Sequence, residues 1–256
     1  MDSEAELEQL KSTTKALLRK QIIDGKSGKF RSVRWRLFLG VFDTNGQDEQ
    51  WCLTLQKERQ VYNELREKFI IDPGSIPDDP LSQSENSLWN QYFIDQDLRK
   101  LIIQDVIRTN PETPLFKTKS VQDLLTNILF IWSKLNPDIS YRQGQNELVA
   151  ILFHVVHSDA EMYSQLNSVL FDRNSLEQDI GILYFKLMEN MKQWYEVNNP
   201  ISLSTLFETI FNDYLKKLDV ELYKHLTKLQ IEPQIFGIFG ADIRTEMGQI
   251  AVFARI

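Results

Sequence analysis

Three short patterns set polar residues at spacings that chemistry can use: Arg31-x-x-x-Trp35, Ile102-x-x-Asp105-x-x-Arg108 and Tyr141-x-Gln143-Gly144. Asp105 and Arg108 stand three residues apart, so they share one face of a helix. Arg108 then has two readings. It answers the dipole of a helix C-terminus and pairs with Asp105, or it aims a planar fork of donors at two oxygens of another molecule. Gln143 carries an amide that both donates and accepts, either for its own loop or for a partner. Asp105 reads as a support that holds Arg108 or nearby backbone, and Tyr141 as a ring that fixes the glutamine loop. Arg31 reads as a buried ion-pair partner and Trp35 as a core aromatic. His154 and His157 read as core-edge histidines, and Cys52 as a small buried hydrophobe.

The elements that must position these groups are helices. Ser3 with Glu6 reads as a capping box, followed by a stripe of Leu7, Leu10, Thr14, Leu17 and Leu18 that runs out at Asp24-Gly25. Val33, Leu37, Phe38 and Val41 mark a second face. Trp51, Leu55, Tyr62, Leu65 and Phe69 fall on one side of a long amphipathic helix. The stretch "IDPGSIPDDPLSQSENS" holds three prolines and a glycine and reads as a long loop. After it, Leu101, Ile102, Val106 and Ile107 supply the apolar side of a helix that Asn110-Pro111 ends, because a residue before proline avoids the α region. Ser120 and Asp123 read as the cap of the next helix, with Leu124, Ile128, Ile131 and Leu135 as its buried face. "DISYRQGQ" is a connector into the apolar segment from Glu147 to His157. Further helices are expected through Phe185, Met188 and Trp194, then Leu206 to Leu218 and Leu222 to Leu229. Strand alternation is absent, so the fold class is all-α.

Composition narrows the partners. The chain has 256 residues, 42% hydrophobic and 25% charged, with a net charge of -7. That balance suits a globular protein and argues against nucleic acid as the main partner. Cys52 is the single cysteine, so no internal disulfide or CxxC metal site exists, which fits a reducing compartment. "MDSEAELEQL" lacks the basic-then-apolar plan of a signal peptide, and "ELVAILFHVVH" is too short for a membrane span. The reading is a cytoplasmic protein. A basic run, Lys11, Lys15, Arg19, Lys20, Lys26, Lys29, Arg31, Arg34 and Arg36, reads as a solvated face. Peripheral contact with anionic headgroups is the lesser reading.

Together, in this order and at helix ends, the three patterns resemble the TBC domain of Rab GTPase-activating proteins. "FRSVRWRLFLGV", "DDPLSQSENSLWN", "DLRKLIIQDVIRT", "YRQGQNELVAIL" and "LQIEPQIFG" narrow the resemblance to the subfamily of TBC domain family member 5, from about Phe30 to Gly237. The resemblance implies a multi-helix domain in which Arg108 is an arginine finger and Gln143 a glutamine finger, with Asp105, Tyr141, Ile102, Arg31 and Trp35 in support. The fingers stabilise charge on the transferring phosphoryl group and orient the attacking water of a Rab-family GTPase. No cofactor or metal of this chain is implied, since GTP and magnesium belong to the GTPase. The subfamily further implies a late-endosomal Rab, recruitment to endosomal membranes, and a contact with the retromer coat through the loop from Ile70 to Leu88, whose apolar residues are Ile71, Ile76 and Leu81.

The expected organisation is an N-terminal amphipathic helix and basic linker over 1–29, a TBC-like domain over 30–237, and a divergent tail over 238–256. After Gly237 the resemblance fails at "IFGADIRTEMGQIAVFARI", and Gln145 stands where the family often has methionine. The C-terminal lobe is thus expected to be truncated, with the helices near Leu203 to Leu229 left partly open. Marginal stability and self-association would follow. The rival to a catalytic activator is an impaired module that binds a Rab or retromer without turnover. A helical scaffold unrelated to GTPases is the third reading.

Overall fold

Helical periodicity becomes helices along most of the chain. The computed structural model describes residues 3–23, 28–44, 46–77, 87–195 and 208–230, and every regular element among them is helical. None of these helices is long and apolar enough to cross a membrane. The chain divides into two compact units, one from Met1–Ser12 and Phe30–Lys186, the other from the described parts of Thr13–Lys29 and Leu187–Ile256. This division cuts across the segments 1–29 and 30–237 expected from the sequence.

The first unit holds α1 (Ser3–Lys11), α3 (Arg31–Leu39), α4 (Asp48–Phe69), α5 (Leu88–Val106), α6 (Lys119–Leu135), α7 (Gln145–Tyr163) and the first half of α8 (Leu176–Tyr195). Helix α6 is its centre and packs on α4, α5 and α7. Six consecutive residues of α6, Ile128 to Ser133, are buried. A helix buried all round has no single apolar face. The expected face is therefore corrected: Leu125, Leu129 and Trp132 join Ile128 and Ile131, while Leu135 is 41% exposed. The cap is corrected too. Thr118 stands at the N-cap, and Ser120 lies inside the helix.

Helix α3 begins without a cap of its own. Phe30 precedes it in the left-handed region at φ 57°. The orphan donor of Ser32 is taken instead by Asp159 of α7, at 2.7 Å to Oδ2, which locks α3 to α7. Three arginines lie along α3, and the one that is fully buried is Arg36, with Nη2 2.9 Å from Asp179 Oδ2. Arg31 is only partly covered and forms no salt bridge among the described residues. The buried ion-pair role expected of Arg31 thus belongs to Arg36. Arg34 pairs with Glu6 at 3.3 Å. Lys11 pairs with Asp48 at 3.1 Å. Three members of the basic run are thereby neutralised within the fold.

In the second unit, α2 (Lys15–Ile23) follows a break at Ser12–Thr14, where one continuous stripe was expected. Thr14 Oγ1 accepts from Leu17 N at 3.3 Å and starts the new helix, leaving Leu17 46% exposed. A π-helical segment, Ile210–Leu215, leads to a short turn and then to the helix Val220–Lys228, capped by Asp219 on Leu222 N at 2.9 Å. Phe211 and Tyr223 pack at 4.9 Å between centroids. Leu218, Val220, Leu222 and Leu229 are exposed, while Phe211 is buried. The 238–256 tail, Leu206 and Phe207, and the side chain of Trp194 lie outside the described residues.

Candidate functional site

The chemistry-bearing patterns meet where α5 ends and α7 begins, both within the first unit. Helix α5 stops at Val106, with Ile102 and Val106 buried and Leu101 and Ile107 half exposed. Arg108 therefore sits just beyond the helix, in a turn, rather than in its last turn. Its amide still donates to Asp105 O at 3.0 Å, and Asn110 then enters the left-handed region at φ 47°. The Arg108 side chain is 70% exposed. Nη2 pairs with Asp105 Oδ1, and Nε donates to Gln104 O at 3.1 Å. The guanidinium is held from behind and faces outward.

Asp105 has a second contact. Its Oδ2 accepts from the buried Tyr141 hydroxyl at 2.8 Å. Burial, followed by the bond to Asp105, pushes the Tyr141 hydroxyl far above its ordinary range, so it stays a donor at physiological pH. Tyr141 stands two residues before Gln143, which is exposed on the connector. Gly144, at φ 100°, then opens α7. That backbone conformation favours glycine, and it is what turns the connector sharply enough to leave Gln143 outside.

Residues to which the sequence reading gave no part in the site complete the junction. Asn146, 6% exposed, donates through Nδ2 to Thr109 Oγ1 at 2.8 Å and to Glu147 Oε1 at 3.2 Å. Its Oδ1 accepts from Gly144 N at 3.1 Å and lies 3.2 Å from the Tyr141 hydroxyl. Thr109 Oγ1 donates onward to Asp105 O at 3.0 Å. Gln145 is fully buried, and its Oε1 accepts from Arg142 N at 3.3 Å. His154 Nε2 lies 2.7 Å from Asn110 Nδ2, which makes His154 a partner of the arginine turn. The only hint in sequence was polarity: "RTN" and "QGQN" place polar groups beside apolar helices, where burial demands partners.

Partial desolvation raises the Glu147 carboxyl although its side chain still reaches solvent, the bond from Asn146 opposes the rise, and Asp105 adds to it. Burial likewise lowers His154, helped by His157 and Arg31. Trp35 is fully buried and supports α3 from within the core. Among the described residues no group of three His, Cys, Asp or Glu side chains could hold a metal ion. Away from the junction, Ile71 is 44% exposed and lines a groove of about 340 Å³ with Phe69, Leu88, Tyr92 and Arg99. Ile76 is half buried, and Leu81 lies outside the described residues.

The chain is similar to known proteins in sequence and in fold. Residues 29–239 match the family described as Rab-GTPase-TBC domain. The chain is 32% identical to human TBC1 domain family member 5 over 266 aligned positions, covering 87% of this chain and 33% of that protein. It is 32% identical to TBC1 domain family member 5 homolog B of Dictyostelium discoideum over 180 positions, covering 66% of this chain and 18% of the other. The GTPase-activating protein GYP1 of Saccharomyces cerevisiae is 28% identical over 79% of this chain and 30% of its own length. The chain thus spans a third or less of these relatives. In fold it is similar to the crystal structure of the Ypt/Rab-GAP domain of Gyp1p, with a TM-score of 0.69 and 22% identity over 98% of this chain and 78% of that one.

Proposed function

The chain belongs to the Rab-GTPase-TBC domain family, and from that premise we propose that it accelerates GTP hydrolysis on a Rab-family small GTPase, with Arg108 and Gln143 acting in trans. The observation that carries this reading is the outward guanidinium. Arg108 is 70% exposed while the carboxylate that holds it is nearly buried. That exposure puts the fork within reach of a partner, which the fully buried guanidinium of Arg36 is not.

When a GTPase places its γ-phosphate at this turn, the planar fork of Arg108 meets the oxygens that gain charge as the phosphoryl group transfers. An arginine supplied in this way is worth roughly 10³–10⁵ in rate, or about 4–7 kcal/mol of barrier. Asp105 keeps the side chain from sweeping away from the phosphate. Gln143 accepts a hydrogen bond from the attacking water through its carbonyl oxygen and donates to nearby backbone through its NH2 group. Nucleotide and magnesium belong to the GTPase, and this chain contributes no cofactor.

The sequence resemblance adds a late-endosomal Rab as the substrate and the retromer coat as a second partner, with exposed Ile71 at the start of the docking loop. Single-turnover hydrolysis against a panel of GTP-loaded Rab proteins tests the central reading. Stimulation of at least one by roughly 10³-fold or more is expected, and no stimulation across the panel overturns it. Pull-down of retromer subunits by the wild-type chain and by Ile71→Asp tests the second partner. Equal capture by both would remove Ile71 from that contact.

A further inference from the structure

We propose that Asn146 is the positioning residue that ties the arginine and glutamine segments into one unit and so fixes the distance between the two fingers. The inference rests on the activator reading above. Thr109, the residue after Arg108, takes the Asn146 NH2 group at 2.8 Å, and Gly144, the residue after Gln143, gives its amide to the Asn146 oxygen at 3.1 Å. One planar amide thus links Gly144 to Thr109, which lies 37 positions before Asn146. The second link between them, Tyr141 to Asp105 at 2.8 Å, runs alongside it.

The identity of the side chain follows from the valences. Both NH2 protons of Asn146 have acceptors, Thr109 Oγ1 and Glu147 Oε1, and the oxygen accepts from the Gly144 N–H. A flipped amide would set NH2 against the Gly144 N–H and oxygen against the Glu147 carboxylate, so one orientation is enforced. Alanine would leave the Gly144 N–H and the Thr109 hydroxyl short of a partner in a buried place. Aspartate could not donate to Thr109, and it would add a third carboxylate beside Asp105 and Glu147, the latter already raised by burial. Asn146 is itself only 6% exposed, so it acts through its neighbours Thr109 and Gly144.

The test is a kinetic cycle on the full chain, using the Rab protein that responds best. Asn146→Ala should lower the saturating single-turnover rate about 10²-fold, the cost of a shift near 1 Å. The half-saturating concentration should stay within about threefold, because no docking contact is removed. In a Gln143→Ala background the same change should cost about tenfold or less, since only one finger remains to be misplaced. An equal factor in both backgrounds, or a loss below threefold in the wild type, overturns the proposal. Thr109→Val is the milder variant. It removes the arginine-side bridge with nearly the same shape and should give part of the Asn146→Ala loss.

Amide hydrogen exchange on the chain alone separates this proposal from the activator reading. Asn146→Ala should speed exchange in 107–110 and in 141–144 together, with the centre of α6 unchanged. Unchanged exchange across 107–110 overturns the coupling whatever the GTPases do. Coupled exchange in a wild-type chain that stimulates no Rab overturns the activator reading and leaves the tie between the segments standing.

Discussion

Two aspartates in the first unit each hold arginine, and they hold it for opposite ends. Asp179 is 1% exposed and receives Arg36, which is fully buried, and Arg59, at 2.6 Å to Oδ1 and 2.8 Å to Oδ2. Arg59 also reaches Val169 O at 2.8 Å. That cluster joins α3, α4 and α8, and it leaves its arginines nothing to offer a partner. Asp105 is nearly as covered as Asp179, yet its arginine is 70% exposed. The same ion pair is a rivet in one place and a bracket in the other. What differs is the backbone under the arginine: Arg36 lies within a helix wedged between Trp35 and Leu37, both fully buried, whereas Arg108 lies past the end of one.

The largest break in this comparison should come at Arg108. Arg108→Ala is expected to cost stimulated hydrolysis roughly 10³–10⁵-fold, with unfolding free energy changed by less than about 1 kcal/mol because the side chain is mostly in water. Arg108→Lys should recover little, since a point charge lacks the two-pronged geometry. Single-turnover rates beside urea unfolding curves check both halves. A stable variant with full activity would make Arg108 an ordinary surface pair.

Asp179 should behave in the reverse manner. Asp179→Ala strands Arg36 and Arg59 with unbalanced charge in the interior, a change that typically costs about 3–5 kcal/mol. Chemical denaturation should show that loss, and hydrolysis by whatever remains folded should be near normal. A loss below about 1 kcal/mol would mean that water reaches the cluster and that the rivet is not one.

Here the limits of the sequence are physical. The helical periodicity and the spacing of Asp105, Arg108, Tyr141 and Gln143 are local facts, and they were legible, although the face read through Val41 runs past Gly40, which ends its helix. Which of Arg31, Arg34 and Arg36 turns inward was not. The three lie within six positions of one short helix flanked by apolar residues on every side, and the partner that decides among them, Asp179, is 143 positions from Arg36. Asn146 escaped for the same reason, since its decisive partner is Thr109. The break at Ser12–Thr14 carries neither glycine nor proline. It is made by hydroxyls competing for backbone groups, a signal too weak to stop a leucine stripe on paper.

A smaller change probes the bracket itself. Tyr141→Phe keeps the ring and removes only the hydroxyl that steadies Asp105 Oδ2 at 2.8 Å. A hydrogen bond to a charged group is worth about 1.5–3 kcal/mol. If it is lost in the transition state alone, the rate falls about 10–10²-fold. The expected result is a loss between that of Arg108→Ala and none, with the half-saturating GTPase concentration little changed. A rate equal to wild type would show that Asp105 holds Arg108 without help.

The smallest expected effect is a pH dependence at the arginine turn. Asn110, two residues after Arg108, is held at φ 47° by a contact to His154 Nε2 at 2.7 Å. Its own Oδ1 accepts from Thr113 Oγ1 at 3.4 Å, so the group facing the histidine is the NH2 donor. That arrangement needs an unprotonated Nε2. Burial, with His157 and Arg31 nearby, lowers His154 below its ordinary value of 6.5. A lowered folded value gives stability that is complete above 6.5 and is lost as pH falls through the folded value. Glu147 and Asp159 are both raised by burial, so acid acts on them in the opposite sense. The clean measure is therefore a difference: the melting temperature of the wild type minus that of His154→Gln, followed from pH 7.5 down to 5. One hydrogen bond of about 1 kcal/mol should shift that difference by about 2–4 °C against the wild type as the solution is acidified. A difference that stays flat, or that moves in favour of the wild type, would mean that His154 stays outside the arginine turn's balance, and that the turn is held by Asp105 and Thr109 without it.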